Sequence, residues 1–247
     1  MASITALAKK GLLGLTWPAW YWLSFACFLT FVVLTWNVLA RGPHPLDGDC
    51  ARYFQAHAGE HTAVRDAFWA ITQLGSLAAL GTLAGAVIAV LFFRRERLLA
   101  AVWFLGVLGG ALLNSGMKGE VGRVRPALDL RDPSVVHHAN ESYPSGHTMG
   151  ATVGIGLCGY LVLRRVQRRT LRITAMSGLI LLIFLIGFSR IYLRAHWCSD
   201  VLAGFAIGFT WLSFCVAIYE RLQGRRQLLA EPEQTLEPEL SAGESEA

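Results

Sequence analysis

Six stretches of this chain carry no Lys, Arg, Asp or Glu: 11–40, 67–93, 98–117, 142–163, 173–189 and 201–219. They run 30, 27, 20, 22, 17 and 19 residues and hold 135 of the 247 positions. A helix needs about 20 predominantly apolar residues to cross the hydrocarbon core of a bilayer. The chain is also 54% hydrophobic and only 16% charged, against roughly 25% charged residues in ordinary soluble domains. Disorder, a collagen-like repeat, a coiled coil and a single soluble globule are excluded for its bulk. Unpaired backbone groups are too costly in lipid, so only helices and closed barrels span it. Barrel strands are about ten residues long and alternate in polarity, whereas these runs are longer and apolar all round. The expected fold is all-α, a six-transmembrane-helix bundle with spans near 18–40, 71–93, 98–117, 147–164, 172–190 and 199–220. A surface helix is expected in the first outer loop, within 42–70, where Asp47, Asp49, Arg52 and Asp66 interleave with Phe54, Val64 and Phe68.

The charged residues give the orientation. Thirteen Lys and Arg, including Lys9, Lys10, Arg94, Arg95, Arg97, Arg164, Arg165, Arg168, Arg169 and Arg172, fall on one side of the alternating spans, and nine on the other. An excess of Lys and Arg in short loops marks the cytoplasmic side, which places both termini inside. Lys9 and Lys10 precede an apolar stretch, Trp17–Ala40, that exceeds the 7–15 residues of a secretory signal, so a retained anchor is expected. Residues 1–226 read as the membrane domain. Residues 227–247, with six Glu, two Pro and no aromatic, read as a disordered acidic cytoplasmic tail. The net charge of +5 sits in these short loops and does not imply nucleic acid. No obligate protein partner is implied. The five cysteines form no CxxC pair. Cys27, Cys158 and Cys215 lie in apolar runs and act as small hydrophobes, while Cys50 and Cys198 fall on the same expected side, where a disulfide between them is topologically allowed. Trp17, Trp20, Trp22 and Trp36 read as interfacial belt residues. Gly81, Gly85, Gly106, Gly109, Gly110 and the Gly150–Gly159 series read as sites of close helix packing.

Alternation of spans puts the junction between spans three and four on the same face as the junction between spans five and six. The first holds Lys118, Glu120, Arg123, Arg125, His137, His138 and His147, and the second Arg190, Arg194, His196 and Asp200. Charge at membrane depth is costly and marks function. Lys118, Arg125 and Arg190 are fixed cations suited to phosphate oxygens. Pro144-Ser145-Gly146-His147 opens an apolar helix, where glycine permits close backbone approach and N-terminal amides favour anions. Together these describe a phosphate cradle. His196 and Asp200 are four apart and share a helix face. A carboxylate on one imidazole nitrogen fixes the tautomer and makes the other a nucleophile. His147 is placed to protonate a leaving oxygen and then to deprotonate water. This is covalent catalysis with two histidines, no cofactor and no metal. His137-His138 reads as a solvated loop pair, and Glu120 as a local ion-pair partner. Arg194 fits either a phosphate ligand or a headgroup contact.

Three motifs occur in order: Lys118-x6-Arg125-Pro126 as K-x6-R-P, Pro144–His147 as P-S-G-H, and Ser189-Arg190-x5-His196-x3-Asp200 as S-R-x5-H-x3-D. The set resembles the three-part signature of the type-2 phosphatidic acid phosphatase superfamily. The resemblance implies His196 as the nucleophile that forms a phosphohistidine, Asp200 as its partner and His147 as acid and base. It implies Lys118, Arg125, Ser145, Gly146 and Arg190 as phosphate ligands. The expected activity is metal-independent hydrolysis of a lipid phosphate or diphosphate, such as undecaprenyl diphosphate, phosphatidate, phosphatidylglycerol phosphate or lipid A phosphate. Two alternatives stay open: phosphotransfer to a lipid or sugar hydroxyl by the same site, and a non-catalytic lipid-headgroup-binding transporter. The short inner loops and compact size suggest a bacterial inner membrane with the site on the periplasmic or outer face. A eukaryotic lumenal face fits the same topology.

Overall fold

The computed structural model describes residues 17–42, 45–57, 62–126 and 141–243. Among these the chain is all helical, with no strand beyond one isolated bridge between Val124 and Glu141. Eight helices follow in order: α1 (Trp17–Arg41), α2 (Pro45–His57), α3 (Thr62–Gln73), α4 (Leu77–Phe93), α5 (Arg97–Val121), α6 (Gly146–Arg165), α7 (Arg169–Tyr192) and α8 (Cys198–Gly243). Five of them (α1, α5, α6, α7 and α8) are long and apolar enough to cross a membrane, and α3 with α4 makes a sixth if that pair, bent by 44°, counts as one span. The region expected to hold one surface helix contains two, α2 and α3. The helical backbone of α8 continues to Gly243, through most of the segment that composition sets apart as an acidic tail.

The middle of the bundle is made by α6 and α8, with α1, α4, α5 and α7 packed around them. One apolar cluster joins Trp20 of α1, Trp103 of α5, Leu157 of α6 and Leu212 and Val216 of α8. A second joins Leu80 of α4, Ala151 and Ile155 of α6 and Ile186 of α7. Large apolar side chains on the outer helix faces, Leu77, Phe93, Leu105 and Leu112 among them, are exposed, as lipid-facing positions should be. α6 and α8 come into close contact at two glycines. A Cβ on Gly204 would lie 2.9 Å from the Ser145 carbonyl oxygen, and one on Gly208 would lie 2.9 Å from Thr152 Cβ. These two glycines let the N-terminal turn of α6 sit directly against the first turns of α8.

Some packing expectations need correction. Gly81 and Gly85 face open space, so they do not mediate helix contact. Trp20 is fully buried against Phe209, with ring centroids 4.8 Å apart, because its face of α1 meets α8, and it is not a belt residue. Trp22 and Trp36 are exposed, as a belt requires. Glu120 is exposed and forms no salt bridge among the described residues, because its helix face turns away from the neighbouring cations.

The two ends of the bundle differ chemically. At one end Arg165 pairs with Glu96, and Arg164 donates to Glu220 at 3.2 Å and to the Tyr160 hydroxyl at 2.8 Å. At the other end the α5–α6 and α7–α8 junctions meet, as span alternation requires. The Ser145 amide donates to the Asp200 carbonyl oxygen at 3.0 Å, across these two junctions.

Candidate active site

Two left-handed residues shape the approaches to this end. Gly122 (φ 58°) closes α5, its amide donating to the Lys118 carbonyl oxygen. It turns the chain so that Arg123 and Arg125 point back into the bundle. Arg194 (φ 52°) follows α7, and the Arg190 carbonyl oxygen accepts from the amides of Ala195 (3.0 Å) and His196 (3.2 Å). This tight return sets His196 just ahead of α8, beside Arg190 of the same motif.

His196 is buried, and its ring contacts fix its tautomer. Arg125 NH1 lies 2.9 Å from Nε2, and Asp200 Oδ2 lies 3.3 Å from Nδ1. A guanidinium can only donate. Nε2 therefore carries the lone pair and Nδ1 the proton, which it directs at Asp200. Burial pushes the imidazole well below its ordinary pKa, and the positive charges of Arg125, Arg190, Lys118 and His147 add to the shift. The ring is neutral, oriented, and surrounded by cations. The Arg125–His196 contact and the Ser145–Asp200 bond bring the three motifs together.

The cations hold different local partners. Arg190 is 4% exposed; its NH1 donates to Thr72 Oγ1 at 2.9 Å, while its Nε has no hydrogen-bond partner among the described residues. A buried guanidinium donor left without an acceptor is costly, and an anion bound there would satisfy it. Lys118 Nζ donates to the Glu141 carbonyl oxygen at 2.8 Å, and Arg125 NH1 also donates to the Ala195 carbonyl oxygen at 2.9 Å. Ser145 caps α6 without a side-chain cap bond, and its Oγ accepts from Thr148 at 2.9 Å. Gly146 sits against Asn114, whose Oδ1 would be 3.1 Å from a Cβ there. The leading amides of α6 have no intrahelical acceptors and complete the anion-favouring lining. His147 lies beside the kink between α3 and α4, where a Cβ on Gly75 would be 3.4 Å from its Cδ2. The kink is thus part of the site, supplying Thr72 to Arg190 and Gly75 to His147.

Asp200 is held on both oxygens. Oδ1 accepts from Arg123 NH1 at 2.6 Å, and Oδ2 accepts from the Trp197 amide at 3.0 Å in addition to His196. Arg123 NH2 in turn donates to Asp47 Oδ2 at 2.6 Å, and Asp47 also accepts from the Ser199 amide at 2.9 Å and its hydroxyl at 2.8 Å. Arg123 is a buried brace between two carboxylates, not a headgroup anchor. Asp47, Thr72 and Ser199 are not predicted from the motifs. Only Arg123 carried a signal, its place between the two motif cations. Arg194 donates to the Phe54 carbonyl oxygen at 3.2 Å, which ties its loop to α2. A cleft of about 270 Å³ lined by Val38, Gly42, Arg123, Val124, Arg125 and Trp197 leads to this cluster. No group of three or more His, Cys, Asp or Glu among the described residues is placed to hold a metal ion. His137 and His138 lie outside the described residues.

Residues 97–223 match the model of the PAP2 superfamily. The chain belongs to that superfamily. Among curated PAP2 relatives, phosphatidylglycerophosphatase B of Bacillus subtilis (strain 168) is 29% identical over 160 residues, spanning 64% of this chain and 76% of that protein. The lipid A 1-phosphatase of Rhizobium johnstonii is 32% identical over 126 residues, covering 49% of this chain and 47% of its own length. The crystal structure of a transmembrane PAP2-type phosphatidylglycerolphosphate phosphatase from Bacillus subtilis superposes with a TM-score of 0.71 at 25% identity, covering 81% of this chain and 97% of that one. This PAP2 chain is an integral membrane protein by its helices and by that likeness.

Proposed function

We propose that this PAP2 protein is a lipid phosphate phosphatase that works through a phosphohistidine on His196. One observation carries the reading: a buried, neutral imidazole whose lone-pair nitrogen faces Arg125 while its other nitrogen is held by Asp200. A phosphate monoester or diphosphate would take over the donors of Arg125, Arg190 and Lys118 together with the α6 amides. His196 Nε2 then attacks phosphorus in line, the N–P bond forms, and the P–O bond to the lipid breaks. His147 gives its proton to the departing oxygen. In the second half His147 takes a proton from water, the hydroxide attacks phosphorus, and the N–P bond breaks to return neutral His196 and inorganic phosphate. Asp200 stabilises the ring charge that appears while the adduct persists. The chemistry needs no metal, so activity is expected to survive EDTA.

The relatives' names make phosphatidylglycerol phosphate and lipid A 1-phosphate the first substrates to test, beside phosphatidate and undecaprenyl diphosphate. The Arg-rich ends of α6 and α7 lie opposite the site. That supports an N-in, C-in arrangement with the site on the periplasmic or outer face and α2 lying along that surface. The deciding experiment is rapid quench with a lipid carrying labelled phosphate. Wild type should yield an acid-labile phosphoprotein, and His196→Ala none; label retained at wild-type level in His196→Ala refutes the assignment.

A further inference from the structure

The catalytic reading leaves one reactive pair unused. Cys50 on α2 and Cys198 at the start of α8 are 148 positions apart in sequence, yet their Sγ atoms lie 3.3 Å apart. Both are half-buried, neither fully enclosed nor freely exposed. The contact is not isolated. Asp47, three residues before Cys50, accepts two hydrogen bonds from Ser199, the residue after Cys198. Two adjacent pairs therefore hold the same faces of α2 and α8 together. The remaining cysteines, Cys27, Cys158 and Cys215, lie within the apolar spans.

We propose that Cys50 and Cys198 are a dithiol that closes to a disulfide, a covalent staple between α2 and the catalytic end of α8. The step needs a two-electron oxidant of the disulfide class. The thiolate of one cysteine attacks a sulfur of the oxidant, forming a mixed disulfide and releasing one thiol. The second cysteine, as thiolate, attacks the protein sulfur of that mixed disulfide, the Cys50–Cys198 bond forms, and a second thiol leaves. The two thiol protons of the protein end on the reduced oxidant. An oxidising compartment on the site's side of the membrane supplies such an oxidant. The pairing itself rests only on the packing of α2 against α8 and is independent of the catalytic assignment. The staple lies two residues from both His196 and Asp200, and it holds Asp47 in place to orient Arg123. It closes a loop of nearly 150 residues, the regime in which a cross-link restricts the unfolded chain most.

The test uses full-length protein in detergent, fully reduced and then exposed to oxidised glutathione, with free thiols alkylated and peptides mapped by mass spectrometry. A linked Cys50–Cys198 peptide should appear, be absent from Cys50→Ser and Cys198→Ser, and be lost again on dithiothreitol treatment. The oxidised protein should melt about 5 °C or more above the reduced protein, and both Ser variants should melt like reduced wild type under either condition. Glutathione adducts on either cysteine without the linked peptide would overturn the proposal. So would a linked peptide that leaves the melting temperature unchanged. Because thiol mapping needs no substrate, its outcome is separate from that of the phosphoenzyme experiment.

Discussion

Asp47→Asn probes how the site is built, because it changes a charge and almost no volume. Asp47 is 1% exposed and accepts from Arg123 at 2.6 Å and from Ser199 at 2.9 and 2.8 Å. In Asn one of the two acceptor oxygens becomes an NH2 donor. At least one of the three existing donors then faces another donor, and Arg123 loses one of its two counter-charges. Breaking a buried ion pair by removing one partner costs about 3–5 kcal/mol. Arg123 keeps its 2.6 Å bond to Asp200, which sets the expectation at the low end, about 3 kcal/mol. For a chain of this size that is a melting-temperature loss of roughly 6–12 °C. The loss should couple to Arg123→Gln: the two changes break the same bond, so the double variant should be at least about 1 kcal/mol less destabilised than the sum of the singles. A kinetic effect should accompany it. Asp200 oriented by one brace fewer holds His196 less well, so kcat should fall about tenfold or more with KM little changed. The assays are thermal unfolding in one fixed detergent and steady-state phosphate release. A melting temperature within 1 °C of wild type, with Asp47→Asn and Arg123→Gln strictly additive, would refute the three-member network.

Three further outcomes are expected. His147→Ala should lower kcat by several orders of magnitude on a lipid phosphate but far less on an aryl phosphate whose leaving group needs no proton; equal losses on both would remove His147 from the acid role. Arg190→Lys should lower kcat/KM by about 10²-fold or more, because a lysine cannot both reach Thr72 and offer the unpaired Nε donor to phosphate; near-wild-type activity would show that any cation suffices. His196 supports a pH prediction. Its folded pKa lies below the roughly 6.5 of an unfolded histidine, so below that pH the unfolded chain binds the extra proton. Its contribution to stability is therefore neutral above about pH 6.5 and turns unfavourable as pH falls beneath it. In kcat/KM the His196 limb should lie well under pH 6.5 and move upward in Arg125→Met, which removes a neighbouring positive charge; an unmoved or lowered limb would contradict the electrostatic account.

Much of this architecture is legible in the sequence, for a physical reason. Charge-free runs of bilayer length can only be helices, and helices that alternate in direction must bring Lys118–His147 and Arg190–Asp200 to one end. The structure agrees, through the Ser145–Asp200 bond. His196 and Asp200 also meet, at 3.3 Å, but not on a shared helix face as the spacing of four suggests, because His196 lies in the turn ahead of α8. What sequence could not supply are contacts that run between elements of no fixed spacing. Asp47 sits in the first turn of α2, whose distance from Arg123 depends on how that helix folds back. Thr72 reaches Arg190 next to the bend between α3 and α4, inside a stretch that the sequence shows as one charge-free run. Glycine spacing also misled at Gly81 and Gly85, which share the small-residue pattern yet touch nothing, while Gly204 and Gly208 carry the close contact of α6 with α8. A periodic pattern states which residues share a helix face but not what that face meets. In this site the difference matters: the motif residues supply the charges, the nucleophile and its tautomer, and residues outside every motif, Asp47, Thr72 and Ser199, brace them. Arg123 illustrates this. Read alone it is one more cation at a membrane surface, suited to a lipid headgroup. Between two buried carboxylates its charge is already neutralised, so it contributes orientation of Asp200, and through it of His196, in place of attraction for substrate.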